Sequence, residues 1–461
     1  MIQIPNPIFF SKAFHRYLVD PSRLRKMNDE TLKRFQDKSL QTILSYAYEV
    51  PVYREKYKKA GIRLCDIHGI KDLHKLPCIT KEDLRGNFPD NVVVPSFQKK
   101  SGIIASTSAT TGAPLSLYFT LLTVLQSMLG FVRILREHEI NWKRTKIALL
   151  LDLSVNSFEN GYFLTSVFPS IKPLISLKNM QVFDIRSPPS ELIEKLNVFQ
   201  PEVIIGYPFV LIQLAYLKEN GYGRNITPRV IGSSGAYFDR YSRHRVEEAF
   251  GAKTFDIYAA TESGPMAFEC REKRYHILSD LVHLEIIDTD GGESTGKTGT
   301  IVVTKLYGQG TPIIRYTGID DVITPARTPC SCGLAGDLIE SIHGRRSDAF
   351  LLPNGKLVCI SFFDTVIGAV LSEMKMIRVK RMQLIQQTLN KVEIKIALDD
   401  NVKKTDPLTD ELFSRIQANL LKRLGSDVDL MITQVDGFDS KAPYVISNLG
   451  RKSWEAREYI L

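Results

Sequence analysis

Five hydroxyl side chains occupy six consecutive positions, Ser106, Thr107, Ser108, Thr110 and Thr111 around Ala109, and Gly112 follows them. An apolar Ile103-Ile104-Ala105 leads in. Hydroxyls and backbone N–H groups with few bulky side chains suit the oxygens of a polyphosphate. A second segment, Asp256-Ile257-Tyr258-Ala259-Ala260-Thr261-Glu262, closes an apolar run on a ring, a hydroxyl and a carboxylate. Tyr258 can cover a planar base, Thr261 can bind a phosphate oxygen, and Glu262 can hold Mg2+. In a third, Pro312 to Asp321, Asp320 stands in a tight turn after a β-run, placed to accept hydrogen bonds from both hydroxyls of a ribose. A fourth, Ile342-His343-Gly344-Arg345-Arg346-Ser347-Asp348, falls where a smaller C-terminal unit begins.

A separate set carries metal chemistry. Cys330 and Cys332 form a close thiol pair, and Cys270 and His276 lie upstream. Three Cys and one His make a closed tetrahedral set for structural zinc, although Cys-x-Cys is tighter than the usual spacing and buried free thiols are the alternative. Cys65, Cys78 and Cys359 read as core or surface thiols. Two other patterns are set aside. Gly291 to Thr298 matches a phosphate-loop spelling, but the strand-like Gly299-Thr300-Ile301-Val302-Val303 follows where a helix is required, so a hairpin turn is expected. Gly232-Ser233-Ser234-Gly235 lacks the spacing of a nucleophile elbow.

These segments need a scaffold. Leu32, Phe35, Leu40, Ile43, Leu44 and Ala47 recur at helical spacing and stop before Pro51, and Thr80 with Asp83 reads as a helix cap. Between about 100 and 340, short apolar runs at Lys146–Leu151, Val203–Gly206, Arg229–Gly232 and Thr254–Tyr258 alternate with helical patterns at 189–198, 208–219 and 238–250. That alternation predicts an α/β fold with buried strands. Leu281–Asp288 and Thr300–Thr304 predict a hairpin, and the tail predicts strands at Val392–Ala397 and Leu430–Val435 around a helix at 408–424. The expected division is 1–340, made of a helical lead-in (1–95), an α/β core (96–280) and a β-rich part (281–340), and then a small α+β unit over 341–461.

Composition bounds the partners. The chain has 461 residues, 44% hydrophobic and 24% charged, which excludes a disordered tail or a small disulfide scaffold. Lys and Arg number 60 against 51 Asp and Glu, a net charge of +9, but they are spread along the chain instead of forming the stripe a nucleic-acid binder shows. No nucleic-acid partner is expected. No run approaches the roughly 20 apolar residues of a membrane helix, the start lacks a signal-peptide pattern, and six cysteines are too few for a disulfide framework. No membrane association and a cytoplasmic location are therefore expected.

In their order, the four chemical segments resemble the adenylate-forming superfamily, specifically its phenylacetate–coenzyme A ligase/CapK-like branch. The lead-in agrees: Ala47-Tyr48-Glu49-Val50-Pro51-Val52-Tyr53-Arg54 and the segment from Asp72 through Leu76-Pro77 and Thr80-Lys81-Glu82-Asp83-Leu84 are similar to two lead-in segments of the branch. The resemblance spans about residue 30 to the C-terminus. It implies a large adenylation domain with a small mobile C-terminal domain, and an ATP-dependent ligase that makes an acyl-adenylate and then an acyl-coenzyme A from an aryl acid. ATP, Mg2+ and coenzyme A would be bound, with a homodimer as a candidate assembly. By the same resemblance, Ser106, Thr107, Ser108, Thr110, Thr111 and Gly112 cover the phosphates. Gly235, Tyr258 and Ala259 flank adenine, Thr261 and Glu262 serve phosphate and Mg2+, Asp320 holds ribose, and Arg345 lies at the nucleotide and domain junction. Lys441 is the candidate lysine for adenylation. A zinc set of Cys270, His276, Cys330 and Cys332 is also frequent in this branch. Tyr207, Pro208, Gly235 and Ala236 are candidates to line the acid pocket.

The chain departs from the family's pattern in several places. Ala109 and Ala113 replace a usual Gly and Lys of the phosphate loop, and Ile319 separates Gly318 from Asp320, so that Asp321 competes with Asp320 for the ribose; an ungapped count from Arg315 favours Asp320. Ser347 stands where the hinge often has Asp. Transfer to a carrier protein, a hydroxyl or a deazaflavin coenzyme, or nucleotide binding without turnover, are the alternatives.

Overall fold

The apolar runs that alternate with helical patterns become neighbours in one sheet. The protein was analysed as a computed structural model that describes residues 7–107, 114–154, 157, 159–160, 178–288, 296–374, 379–398, 407–438, 443–449 and 458–461. Met180–Asp184, Ile147–Leu151, Val203–Gly206, Val230–Ser234 and Lys253–Ala260 lie side by side and parallel. Helices Pro189–Phe199, Pro208–Glu219 and Arg240–Phe250 make the crossovers, as parallel strands require. Pro at the first helical position starts two of these helices, where its missing N–H costs nothing. The third starts two residues later than its apolar pattern, because Asp239 caps it by accepting from Ser242 N at 2.8 Å.

The sheet does not end there. Gly264–Glu269, Tyr275–Ile277, Leu338–Arg345, Asp321–Pro325, Gly299–Lys305 and Val282–Ile287 continue it in antiparallel fashion to eleven strands. The β-rich part expected over 281–340 supplies four of these six strands, so it continues the same sheet. The expected hairpin is present, with Val282 to Ile287 opposite Lys305 to Thr300. The phosphate-loop spelling, Gly291 to Thr298, falls between these two strands in the sequence, and its residues up to 295 lie outside the described part.

The helical lead-in docks on this antiparallel half. Asn28 caps helix Asp29–Ala47, which buries Leu32, Leu40, Ile43, Leu44 and Ala47; Phe35 is instead covered by the Arg23 guanidinium, 4.5 Å from its ring centre. Helix Lys81–Asn87 begins with the expected capping box between Thr80 and Asp83. Helix Leu121–Glu137, absent from the sequence reading, packs against Pro7–Val19, the turn Asp20–Ser22 and strand Gly264–Glu269; its buried Gln126, Ser127, Arg133 and Glu137 interrupt the apolar stripe.

Residues from 350 on form a second core around the strand order Asp429–Val435, Lys391–Leu398, Val379–Thr388 and Val445–Ser447, with helices Ile360–Met374 and Pro407–Leu424. Tyr241 packs on this core, and Arg245 Nη1 donates to Val379 O at 3.2 Å. Among the described residues, no helix is long and apolar enough to cross a membrane.

Candidate active site

Ligands of open parallel sheets bind outside the carboxyl ends of the strands. Tyr207 follows Val203–Gly206, Gly235 follows Val230–Ser234, and Tyr258 to Glu262 lie at the end of Lys253–Ala260 and just beyond it. All of them stand at that edge. Gly235 has φ +87°, and a Cβ there would fall 2.4 Å from Tyr207 Cε1, so the left-handed backbone and the close ring both call for glycine. A register irregularity between Tyr258 and Ala259 interrupts the pairing at this edge, which resumes with Ala259 opposite Pro265.

Tyr258 Oη donates to Asp321 Oδ2 at 2.5 Å. Burial, with the adjacent Asp321 charge, pushes the phenol's pKa well up. Burial pushes the Asp321 carboxyl up to about 7, although the Tyr258 hydroxyl and Arg345 oppose it. Asp321 pairs in register with Arg345 on the neighbouring strand. Asp320 adopts φ +52°, a conformation rare for a residue with a Cβ. It is held there from both ends: its carbonyl accepts from Arg346 N at 2.8 Å and its Oδ2 from Ser347 N at 3.0 Å. The segment Arg345–Ser347 is thereby tied to the Asp turn. Burial works against the Arg345 charge, but the charges of Asp321, Asp320 and Asp348 outweigh it and raise its pKa.

Glu262 is only 6% exposed. Tyr316 Oη donates to its Oε1 at 3.1 Å. Burial raises its pKa; the Tyr316 bond and the charges of Lys81 and Arg345 offset only part of that. Thr261 sits half-buried beside it. Ser106 and Thr107 close a two-stranded ribbon, with Ser106 Oγ 2.9 Å from Ser116 Oγ and Thr107 Oγ1 accepting from Leu115 N at 3.1 Å. Ser108, Thr110, Thr111 and Gly112, together with Ala109 and Ala113, lie outside the described residues, and so does Lys441.

The sequence reading missed Lys81 and Tyr316 as neighbours of Glu262. Both sit inside segments quoted for the resemblance, but 181 and 54 positions from Glu262 no local pattern pairs them with it. The lead-in helps to fix this edge: Tyr53 Oη donates to Pro312 O at 2.7 Å, and Ile79 N donates to Arg315 O at 2.9 Å.

Cys270, His276, Cys330 and Cys332 converge, with one ligand atom from each lying within 4.8 Å of the others. Cys270 Sγ is 3.7 Å from Cys330 Sγ, and Cys332 Sγ is 3.1 Å from His276 Nε2. Tetrahedral zinc with Zn–S near 2.3 Å would set sulfur–sulfur edges of about 3.8 Å, so this donor set fits the metal. His276 Nδ1 is buried without a partner, which leaves Nε2 as the ligand side. The remaining thiols differ: Cys65 is exposed, Cys78 half-buried and Cys359 buried.

No protein-family model matches the chain. The phenylacetate–coenzyme A ligase of Thermus thermophilus is 26% identical over 394 residues, 82% of this chain and 84% of that protein. Protein CapK of Staphylococcus aureus is 22% identical over 459 residues, 97% of this chain and 96% of that one. The crystal structure of 2-hydroxyisobutyryl-CoA ligase in the postadenylation state, in complex with 2-HIB-AMP, superposes with a TM-score of 0.73 at 18% identity, covering 94% of this chain and 90% of that one. The last is a likeness of fold. In sequence and in fold together, the chain matches the phenylacetate–coenzyme A ligase and CapK branch of the adenylate-forming superfamily.

Proposed function

We propose that this protein is an ATP-dependent, AMP-forming acid–thiol ligase. A carboxylate oxygen of the acid attacks the α-phosphorus of ATP and pyrophosphate leaves. The thiol of coenzyme A then attacks the acyl carbon, and AMP leaves. The observation that carries this reading is the gathering of Tyr258, Glu262, Asp320, Asp321 and Arg345 at one sheet edge. The similarity to phenylacetate–coenzyme A ligases over most of the chain supports the same chemistry.

The first step joins two anions and expels a third, so the site must supply fixed positive charge and oriented donors. Arg345 and Lys81 bring cationic charge towards Glu262. Glu262 is a buried carboxylate with no Lys or Arg in ion-pair contact among the described residues, and it is the residue that would hold Mg2+. When bound, that ion neutralises phosphate charge. Tyr316 orients the Glu262 carboxylate, Thr261 offers a hydroxyl to phosphate, and Tyr258 with Ala259 and Gly235 borders the base. Asp320 is the ribose acceptor in this reading. Ser106 to Gly112 cover the phosphates, and residues 341–461 swing between the two steps, bringing Lys441 to the first. Zinc held by Cys270, His276, Cys330 and Cys332 would tie the loop after Gly264–Glu269 to the loop before Leu338–Arg345. None of the six cysteines is paired in a disulfide, which suits the cytoplasmic location proposed here.

The test is pyrophosphate release from Mg·ATP across aryl, short-chain and fatty acids, with and without coenzyme A. Acid-dependent release supports adenylation, and coenzyme A-dependent AMP formation supports the thiol acceptor. Release that coenzyme A leaves unchanged would point to another acceptor.

A further inference from the structure

The support around the four metal-binding side chains is uneven. A histidine that holds zinc through one ring nitrogen almost always gives its other N–H to an acceptor, which fixes the ring. His276 Nδ1 finds none among the described residues. The thiol side is held from the lead-in. Arg25 Nη1 donates to Cys332 O at 3.0 Å. Beside it, Ala335 N donates to Leu24 O at 3.1 Å. Two bonds thus fasten the loop of Cys330 and Cys332 to Leu24-Arg25, and the Arg25 charge acts on the thiols of Cys332 and Cys270.

Arg25 is fixed in turn. Its Nε lies 3.0 and 3.1 Å from the two carboxylate oxygens of Glu137, and Nη2 also donates to Glu137. Glu137 is buried and ends helix Leu121–Glu137. The next residue, His138, donates from Nε2 to Glu269 O at 2.8 Å, one position before Cys270. Consecutive residues at one helix end therefore reach both halves of the donor set.

The charges give Arg25 a task. Three thiolates outweigh the two positive charges of a zinc ion, so the loaded centre is an anion. Glu137 is an anion too, and Arg25 is the cation between them. Arg274 also acts on His276, but it pairs with Glu340 at 3.2 Å and donates to Thr328 O at 3.1 Å. We propose that Arg25 is a positioning residue of the metal centre, which anchors the Cys330–Cys332 loop and supplies counter-charge to the thiolates. This rests on the zinc assignment above.

The experiment measures zinc affinity by competition with a chromogenic chelator, and Tm beside it, on the full chain. The variants are Arg25→Lys, Arg25→Met and the double variant Arg25→Met with Glu137→Gln. Arg25→Met should bind zinc about 10–100-fold more weakly. Arg25→Lys keeps the charge but not the planar fork, and should fall between it and the wild type. In the double variant no buried carboxylate is left unpaired, so Tm should recover while zinc affinity stays low. That comparison stands even if Arg25→Met alone does not fold. Wild-type affinity in Arg25→Met, or affinity restored together with Tm in the double variant, would overturn this inference and leave the zinc assignment standing. A folded wild type that binds no zinc would overturn both.

Discussion

Asp280 and Glu262 are both buried carboxylates, 2% and 6% exposed, and their surroundings treat them in opposite ways. Asp280 accepts from Arg133 Nη1 at 2.6 Å and Nη2 at 2.7 Å, and from Arg23 Nη1 at 2.8 Å. Burial alone would raise its pKa, and the two guanidiniums bring it below the usual range. Glu262 has a tyrosine hydroxyl and more distant cations, and burial wins. Asp321, which binds Tyr258, and Asp256 are raised in the same way. The contrast separates two uses of a buried charge. Asp280 is fully compensated from within the chain and ties the lead-in to the sheet. The carboxylates at the strand edge are left with negative charge unmet, which suits a place where cations and donors arrive with a substrate.

The largest effect expected is on stability. Asp280→Asn leaves Arg133 buried without its anion and Arg23 with Asp20 alone, and should cost about 3–5 kcal/mol in urea unfolding. A cost below about 1 kcal/mol would break the contrast. The thiols extend it. Metal analysis should find about one zinc per chain, lost in Cys332→Ser together with several degrees of thermal stability. Cys359→Ser should keep the metal, since Cys359 is buried alone, its thiol pushed up to about 12 by desolvation. Metal-free wild-type protein that is fully folded would remove the zinc assignment. Next comes Glu262→Gln, which should lower acid-dependent pyrophosphate release about 100-fold while leaving the unfolding midpoint level or higher, the reverse of Asp280→Asn.

The smallest effect is in pH dependence. Burial holds the Asp256 carboxyl at about 6 against a usual 3.8, despite the Arg243 charge and the Tyr275 hydroxyl at 2.8 Å. A carboxyl whose pKa is raised on folding destabilises the fold when ionised. That penalty is complete above about pH 6 and gone below about pH 4. Asp256→Asn should therefore raise Tm by about 2 °C at pH 8 and by nothing at pH 4. A gain that grows as pH falls would reverse the sign and refute the argument.

How much of this was legible in the sequence depends on how local the cause is. Val203–Gly206 and Lys253–Ala260 were readable as buried strands because their apolar runs are short and flanked by amphipathic helices. The Thr80 cap was readable because both partners sit within four residues. That Gly299–Lys305 and Asp321–Pro325 extend the parallel sheet was not, because strand order is set by pairing across long separations. Helix Leu121–Glu137 was hidden by its buried polar residues, whose partners, such as Asp280 for Arg133, come from distant segments. The cysteine and histidine set was visible from residue type and spacing, since thiols are scarce. The contact of Glu262 with Tyr316, the φ of +52° at Asp320 and the bond from Arg25 to Cys332 O are tertiary facts with no local signature.

The measurement that bears most directly on the central claim is pyrophosphate release from Mg·ATP by purified protein, with and without a panel of carboxylic acids, compared with Glu262→Ala. Release that requires an acid and falls by about two orders of magnitude in the variant is the predicted result. Tight ATP binding with no release for any acid, or release that Glu262→Ala leaves unchanged, would contradict it.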